Sequence, residues 1–159
     1  MLHLLACGNV SNQIFTSDAE FLAALPSAET QTLVFEDGLA DGGPALLAGT
    51  SDVVDTSNGF VASVLGVVDD VRTLPPSART EESRAWGPYP IQNDSDVDAE
   101  IVRVGDGRFD WTFHCANGGE TRTIVSGIHY AGDTVAQGDG AFTWFAGDAG
   151  WCDGSGTTG

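Results

Sequence analysis

Near the start of the chain stands Leu4-Leu5-Ala6-Cys7: an aliphatic residue, a small residue just before the cysteine, then the cysteine itself. That order is a lipobox, in which the cysteine receives a lipid and becomes the first residue of the mature chain. Cys7 is therefore the candidate lipidation site. The polar stretch Gly8-Asn9-Val10-Ser11-Asn12-Gln13 that follows suits a tether. The plainer reading of Cys7 is an ordinary cysteine near a chain terminus, because a full export signal places a basic start and ~7–15 apolar residues before the cleavage point. No later segment carries the ~20 apolar residues needed to span a bilayer, so membrane contact would be through lipid alone.

A second chemistry is suggested by Asn93-Asp94-Ser95-Asp96-Val97-Asp98-Ala99-Glu100, which holds a carboxylate at every second position. Asp94, Asp96 and Asp98 are candidate ligands for calcium, a hard cation that takes several oxygen donors. The match to a helix-loop-helix calcium loop is poor. Ala99 replaces the central glycine, and Gly105 stands where the closing glutamate belongs. The competing reading is a solvated acidic loop that caps a strand. The Gly/Asp-rich stretch 132–140 and the region of Asp148 and Asp153 lack the regular spacing of calcium-binding solenoids.

Cys115 and Cys152 remain as an even pair if Cys7 is lipidated, and in an oxidising compartment they are disulfide candidates. Two unpaired thiols is the alternative. His114 lies next to Cys115, but neighbours on a strand face opposite sides, so they form no nucleophile–base pair. His114 and His129 would approach if their strands paired in register, giving a possible His–His–carboxylate metal site. There is no Gly-x-Ser-x-Gly elbow, phosphate loop or His-Glu-x-x-His, and Ser126 has no motif around it. Trp86 and Trp151 are less determined than Trp111 and Trp144, whose alternation points to core packing rather than sugar stacking.

Composition limits the partners. Asp+Glu total 23 against Lys+Arg 6, a net charge of −17, and lysine is absent. Phosphate backbones would be repelled, which argues against nucleic acid, and charge-driven docking on an anionic membrane fails for the same reason. With 159 residues the chain is long enough for one domain with a true core.

These residues need elements to position them. Ser17-Asp18-Ala19-Glu20 reads as a capping box opening a short helix that Pro26 stops. Thr32 to Glu36 is a short strand candidate ending at Asp37-Gly38. Val53, Val54, Ser57, Phe60, Val61, Val64, Leu65, Val68 and Val71 recur at threes and fours, which predicts an amphipathic helix over about 51–73. Ser51 is its expected N-cap and Pro75-Pro76 its end. Residues 77–85 read as a polar link. Trp86-Gly87-Pro88-Tyr89-Pro90 reads as an irregular segment pinned by its aromatics. From Ala99 the period becomes two. Ile101 to Val104 is a strand, Asp106-Gly107 a hairpin turn, and Phe109, Trp111, Phe113 and Cys115 alternate with Arg108, Asp110, Thr112 and His114. Asn117-Gly118-Gly119 turns into a strand carrying Ile124, Ser126, Ile128 and Tyr130, and Phe142 and Trp144 mark a fourth.

The run from the long helix through Pro75-Pro76-Ser77, Thr80 and Arg84-Ala85-Trp86-Gly87-Pro88 into the strands resembles a family of uncharacterised envelope lipoproteins from Gram-negative bacteria such as the myxobacteria. The resemblance spans roughly residues 50–146. It implies a place, the cell envelope, and a barrel-like β fold, and it implies no activity.

The expected fold is α+β: one long amphipathic helix packed on an antiparallel β-meander or partial barrel, with a short N-terminal helix. Residues 1–16 are expected to be a clipped signal, lipobox and tether. Residues 17–146 form the domain, with strands over about 99–146, and 147–159 a Gly-rich tail or a truncated continuation. The expected role is a non-enzymatic, lipid-anchored cell-envelope protein at the outer membrane, facing periplasm or surface, with no cofactor unless the acidic run holds calcium. The alternatives are a ligand-binding module for calcium, a sugar or a small apolar molecule, and a hydrolase whose site carries no recognised motif.

Overall fold

The computed structural model describes residues 18–27, 31, 45–91 and 93–154. The chain divides into two compact units, one formed by Pro26–Thr73 and the other by Met1–Leu25 with Leu74–Gly159.

The first of these holds helix α2, Ala45–Arg72. It begins six residues before the expected cap at Ser51, which therefore lies inside it. Its end is set where expected: the Thr73 amide and hydroxyl both donate to the Asp70 carbonyl, at 3.1 and 2.8 Å, and Pro75 follows. Val64, Leu65, Val68 and Val71 are buried, whereas Val53 is 63% exposed and Val54, Ser57 and Val61 are partly exposed. The apolar stripe read from the sequence is thus a buried seam only in its C-terminal half.

The second unit is a six-stranded antiparallel sheet whose strands pair in chain order. They are β1 (Ala78–Arg79), β2 (Ser83–Pro90), β3 (Asp96–Gly105), β4 (Arg108–Asn117), β5 (Glu120–Thr134) and β6 (Gln137–Trp144). Among the described residues β1 and β6 are edges, and no pairing joins them into a barrel. The expectation of one long amphipathic helix packed on the strands is corrected here. The fold is dominated by the sheet, and α2 belongs to the other unit. Two short helices sit on the sheet instead: α1, a turn and a half over residues 18–23, and α3, Ala146–Asp153.

The physical reason lies in β4. From Arg108 to Ala116 its side chains alternate between half-exposed and buried, with Phe109, Trp111, Phe113 and Cys115 all inside. That aromatic row is closed at its two ends by short pieces. At one end Phe21 of α1 meets Phe109 edge-on, with ring centroids 5.6 Å apart. At the other, Cys152 of α3 is bonded to Cys115.

Two segments read as irregular are strands. The supposed polar link contains β1 and the start of β2. Trp86-Gly87-Pro88-Tyr89-Pro90 completes β2, with a cis Gly87–Pro88 bond and a register shift between Trp86 and Tyr89. Gly87 has φ 93°, and a Cβ there would fall 2.6 Å from the Val97 carbonyl, so only glycine fits. The Trp86 indole N–H donates to the Leu74 carbonyl at 3.0 Å, and the Tyr89 hydroxyl reaches the Pro75 carbonyl at 3.4 Å. The stretch 132–140, read as a loop, is the far end of the β5–β6 hairpin. Residues 147–153, part of the stretch read as a Gly-rich tail or continuation, lie in α3.

Candidate functional site

The Cys115–Cys152 disulfide spans a sequence separation of 37 residues and ties the C-terminal helix to the buried face of β4. Both cysteines are buried. The helix is held from two further directions. The Ser95 hydroxyl, itself buried, donates to the Cys152 carbonyl at 3.0 Å. The Arg122 guanidinium lies 4.3 Å from the centre of the Trp151 ring and also pairs with Asp148 and Glu120. Those carboxylates hold the Arg122 guanidinium above its usual range, the hydrogen bond it donates to Glu120 contributing most.

The opposite face of the sheet is polar, and strand register assembles it. Asp96, Asp98, Glu100 and Val102 alternate with the buried Val97, Ala99 and Ile101 along β3. Glu100 stands opposite Thr112, Thr112 opposite Ser126, and Ser126 opposite Thr143, so one row of carboxylate and hydroxyls crosses four strands. A parallel row runs Val102, Asp110, Ile128, Ala141. A hollow of about 320 Å³ lies across the middle of β4, β5 and β6, lined by Asp110, Thr112, Ser126, Ile128 and Thr143 among others. Arg108 grips both oxygens of Asp110 at 2.8 Å, and that hydrogen bonding raises the guanidinium above its ordinary value.

The residues singled out from the sequence fall as follows. Cys7 lies outside the described residues. Asp94 sits in the turn before β3 with a left-handed backbone, φ 55°. Asp96 and Asp98 belong to β3 itself, where Asp98 faces His114 across the pair. The acidic run is therefore half turn and half strand rather than one loop. Among the described residues no group of three His, Cys, Asp or Glu is placed to hold a metal ion. The two histidines are not joint ligands. His114 is on the polar face, its Nδ1 3.2 Å from the Thr123 hydroxyl. His129 stands opposite Phe109 on the other face, and its Nε2–H donates to the Val135 carbonyl at 2.7 Å. No helix among the described residues is long and apolar enough to cross a membrane.

Two features were not anticipated from sequence. One is the hydroxyl row, whose signal was the recurrence of Thr and Ser at the wet positions of successive strands. The other is the use of cations. Each of the chain's six Lys+Arg residues, all arginine, pairs with a carboxylate of the same chain. Arg79 and Arg84 share Asp18, Arg103 pairs with Glu20, and Arg72 with Asp69. Burial holds the Arg72 guanidinium below its usual range, with Asp69 opposing.

Comparison with protein-family models, with curated proteins and with solved structures finds no match to this chain.

Proposed function

We propose that this protein is an exported, lipid-anchored component of the cell envelope with a non-enzymatic structural or binding role, carried on a tether from Cys7. The single observation that supports this most is the Cys115–Cys152 disulfide. Such bonds persist in oxidising compartments and are rare where thiols are kept reduced. The lipobox order around Cys7 gives the same direction. Expression with the native upstream sequence and labelled palmitate tests it. The protein is expected to fractionate with membranes and carry label at Cys7. Equal labelling and equal membrane association of Cys7→Ser would refute the anchor.

A second reading, a small-ligand module, is favoured by the polar row and the hollow beside it. A carboxylate with neighbouring hydroxyls offers the acceptors and donors that sugar hydroxyls use, and the volume falls at the lower bound for small-molecule sites, ~300 Å³. Titration with simple sugars, followed by amide chemical shifts of β4 to β6, tests this reading. Movement confined to Thr112, Ser126 and Thr143 supports it, and an unchanged spectrum rejects it.

A further inference from the structure

The two edges of the sheet are built differently. At one, β1 is two residues long, and β2 behind it carries Pro88, Pro90 and a register shift. These are devices that blunt an edge against further pairing. The other edge, β6, is eight residues long with no proline, and its pairing with β5 shifts register only at its start, between Ala131 and Thr134 of β5. Gly138 to Trp144 pair with β5 in unbroken register, and the strand contains no proline, lysine or arginine. Residues 137–141 and Thr143 are exposed, and Phe142 and Trp144 are half-buried. Among the described residues β6 has β5 on one side and no strand on the other. An edge of this kind presents a row of backbone donors and acceptors to an incoming strand.

Charge selects what can come. The chain carries −17, and every arginine is engaged by its own carboxylates. The exposed Asp139 lies on the edge itself, with exposed Asp133 near the end of β5. A second copy of this chain would bring like charge to like charge. A basic segment would not. Side-chain alternation adds the pattern: an added strand places alternate residues beside Phe142 and Trp144 on one face, and beside Asp139, Ala141 and Thr143 on the other.

We infer that β6 is a strand-addition edge that takes an extended basic segment of another protein, with apolar residues alternating with Arg or Lys. The apolar residues meet the aromatic side, and the cations meet Asp139. This surface is independent of the lipid anchor proposed above.

The test uses the full chain and a blocked heptapeptide of alternating valine and arginine. Saturable binding is expected by calorimetry, with amide shifts and exchange protection concentrated in Gln137–Trp144. A peptide with the same side chains but N-methylated at every residue keeps the charge and loses the backbone donors. It is expected to bind about tenfold more weakly or worse, since roughly three backbone hydrogen bonds are forfeited, those from the alternate residues whose N–H would face β6. Asp139→Asn is expected to weaken the unmethylated peptide several-fold, and that difference is expected to shrink as salt rises. Absence of saturable binding overturns the inference. So does equal affinity for the methylated peptide, which would mean charge attraction without strand addition. Self-association through β6 with no peptide binding overturns it as well, by naming a second copy as the occupant.

Discussion

Arg84 and Asp18 form a buried ion pair between β2 and α1: Nε lies 2.6 Å from Oδ1, and the two residues are 4% and 7% exposed. Arg84 also donates to the carbonyls of Thr80 and Ser83, and its guanidinium stacks 4.5 Å from the centre of the Phe21 ring. Asp18 accepts from Arg79 with its other oxygen, at 3.0 Å. One carboxylate thus fastens the N-terminal turn to the sheet. A buried pair adds little beyond what apolar residues of equal volume would give, but removing one partner strands the other charge away from water.

Asp18→Ala is therefore expected to destabilise the protein by ~3–5 kcal/mol, the range for breaking a buried pair. Arg108→Ala is the control. Arg108 pairs with Asp110 as well as Arg84 does with Asp18, but in contact with solvent, where an ion pair contributes little. Its urea midpoint is expected to stay near that of the parent. Similar midpoints for the two variants would show that burial of the Asp18 pair contributes nothing.

Loss of the Cys115–Cys152 bond is expected to cost on the order of 2–4 kcal/mol, chiefly by freeing the unfolded chain. The bond closes a separation of 37 residues and joins two buried sites. Titration of free thiols on denatured, unreduced protein checks the bond itself. Urea melts of the double Cys115→Ala, Cys152→Ala variant check its contribution. Reaction of both thiols would show the bond unformed.

Gly127 lies beneath the Trp111 ring. A methyl at this position would overlap the Trp111 atoms Cζ2 and Cε2 and come 2.8 Å from the Ala141 carbonyl. The indole cannot move freely, because Phe113 and Phe142 rings flank it at 6.1 and 6.3 Å. Gly127→Ala is expected to cost ~1–3 kcal/mol through overpacking, with a change in tryptophan fluorescence. A midpoint at or above that of the parent would contradict the close approach.

What the sequence made legible, and what it hid, follows from the range of the interactions. The β3–β4 hairpin was readable because alternation and the Asp106-Gly107 turn are local signals. Gly107 does take the left-handed φ, 75°, that such a turn asks for. β2 was hidden because Pro88 and Pro90 argue against a strand; Pro88 falls within the register shift between Trp86 and Tyr89, whereas Pro90 stays in register opposite Asp96. Asp96 and Asp98 looked like loop because aspartate is a poor strand former. The buried partners Val97, Ala99 and Ile101 decided otherwise. Asp18 was readable as part of a helix start. Its ion pair with Arg84, across 66 residues, was not, because no local pattern carries it. The long helix was visible as a period, but a period does not say what the stripe is buried against. Of the candidate site residues, the cysteine pair was legible from compartment logic, and the hydroxyl row appears only once register is known.

Trp111 and Thr112 offer the sharpest test of that register. Trp111 is 2% exposed, sits edge-on to Phe113 and covers Gly127. Thr112, the next residue, is on the polar face between Glu100 and Ser126. Truncating a buried aromatic removes its apolar burial and leaves a cavity that the surrounding rings fill only in part, which typically costs ~3–5 kcal/mol. Against an ordinary domain stability of ~5–15 kcal/mol, Trp111→Ala is expected to lower the urea midpoint severely. Thr112→Ala removes a half-exposed hydroxyl and methyl, and is expected to stay within roughly 0.5 kcal/mol, or slightly more through lost strand propensity. The same pair of variants separates stability from binding. If the hydroxyl row holds a ligand, Thr112→Ala loses that ligand while keeping its midpoint. Equal midpoints for Trp111→Ala and Thr112→Ala would mean that β4 does not bury one face, and the row opposite would dissolve with it.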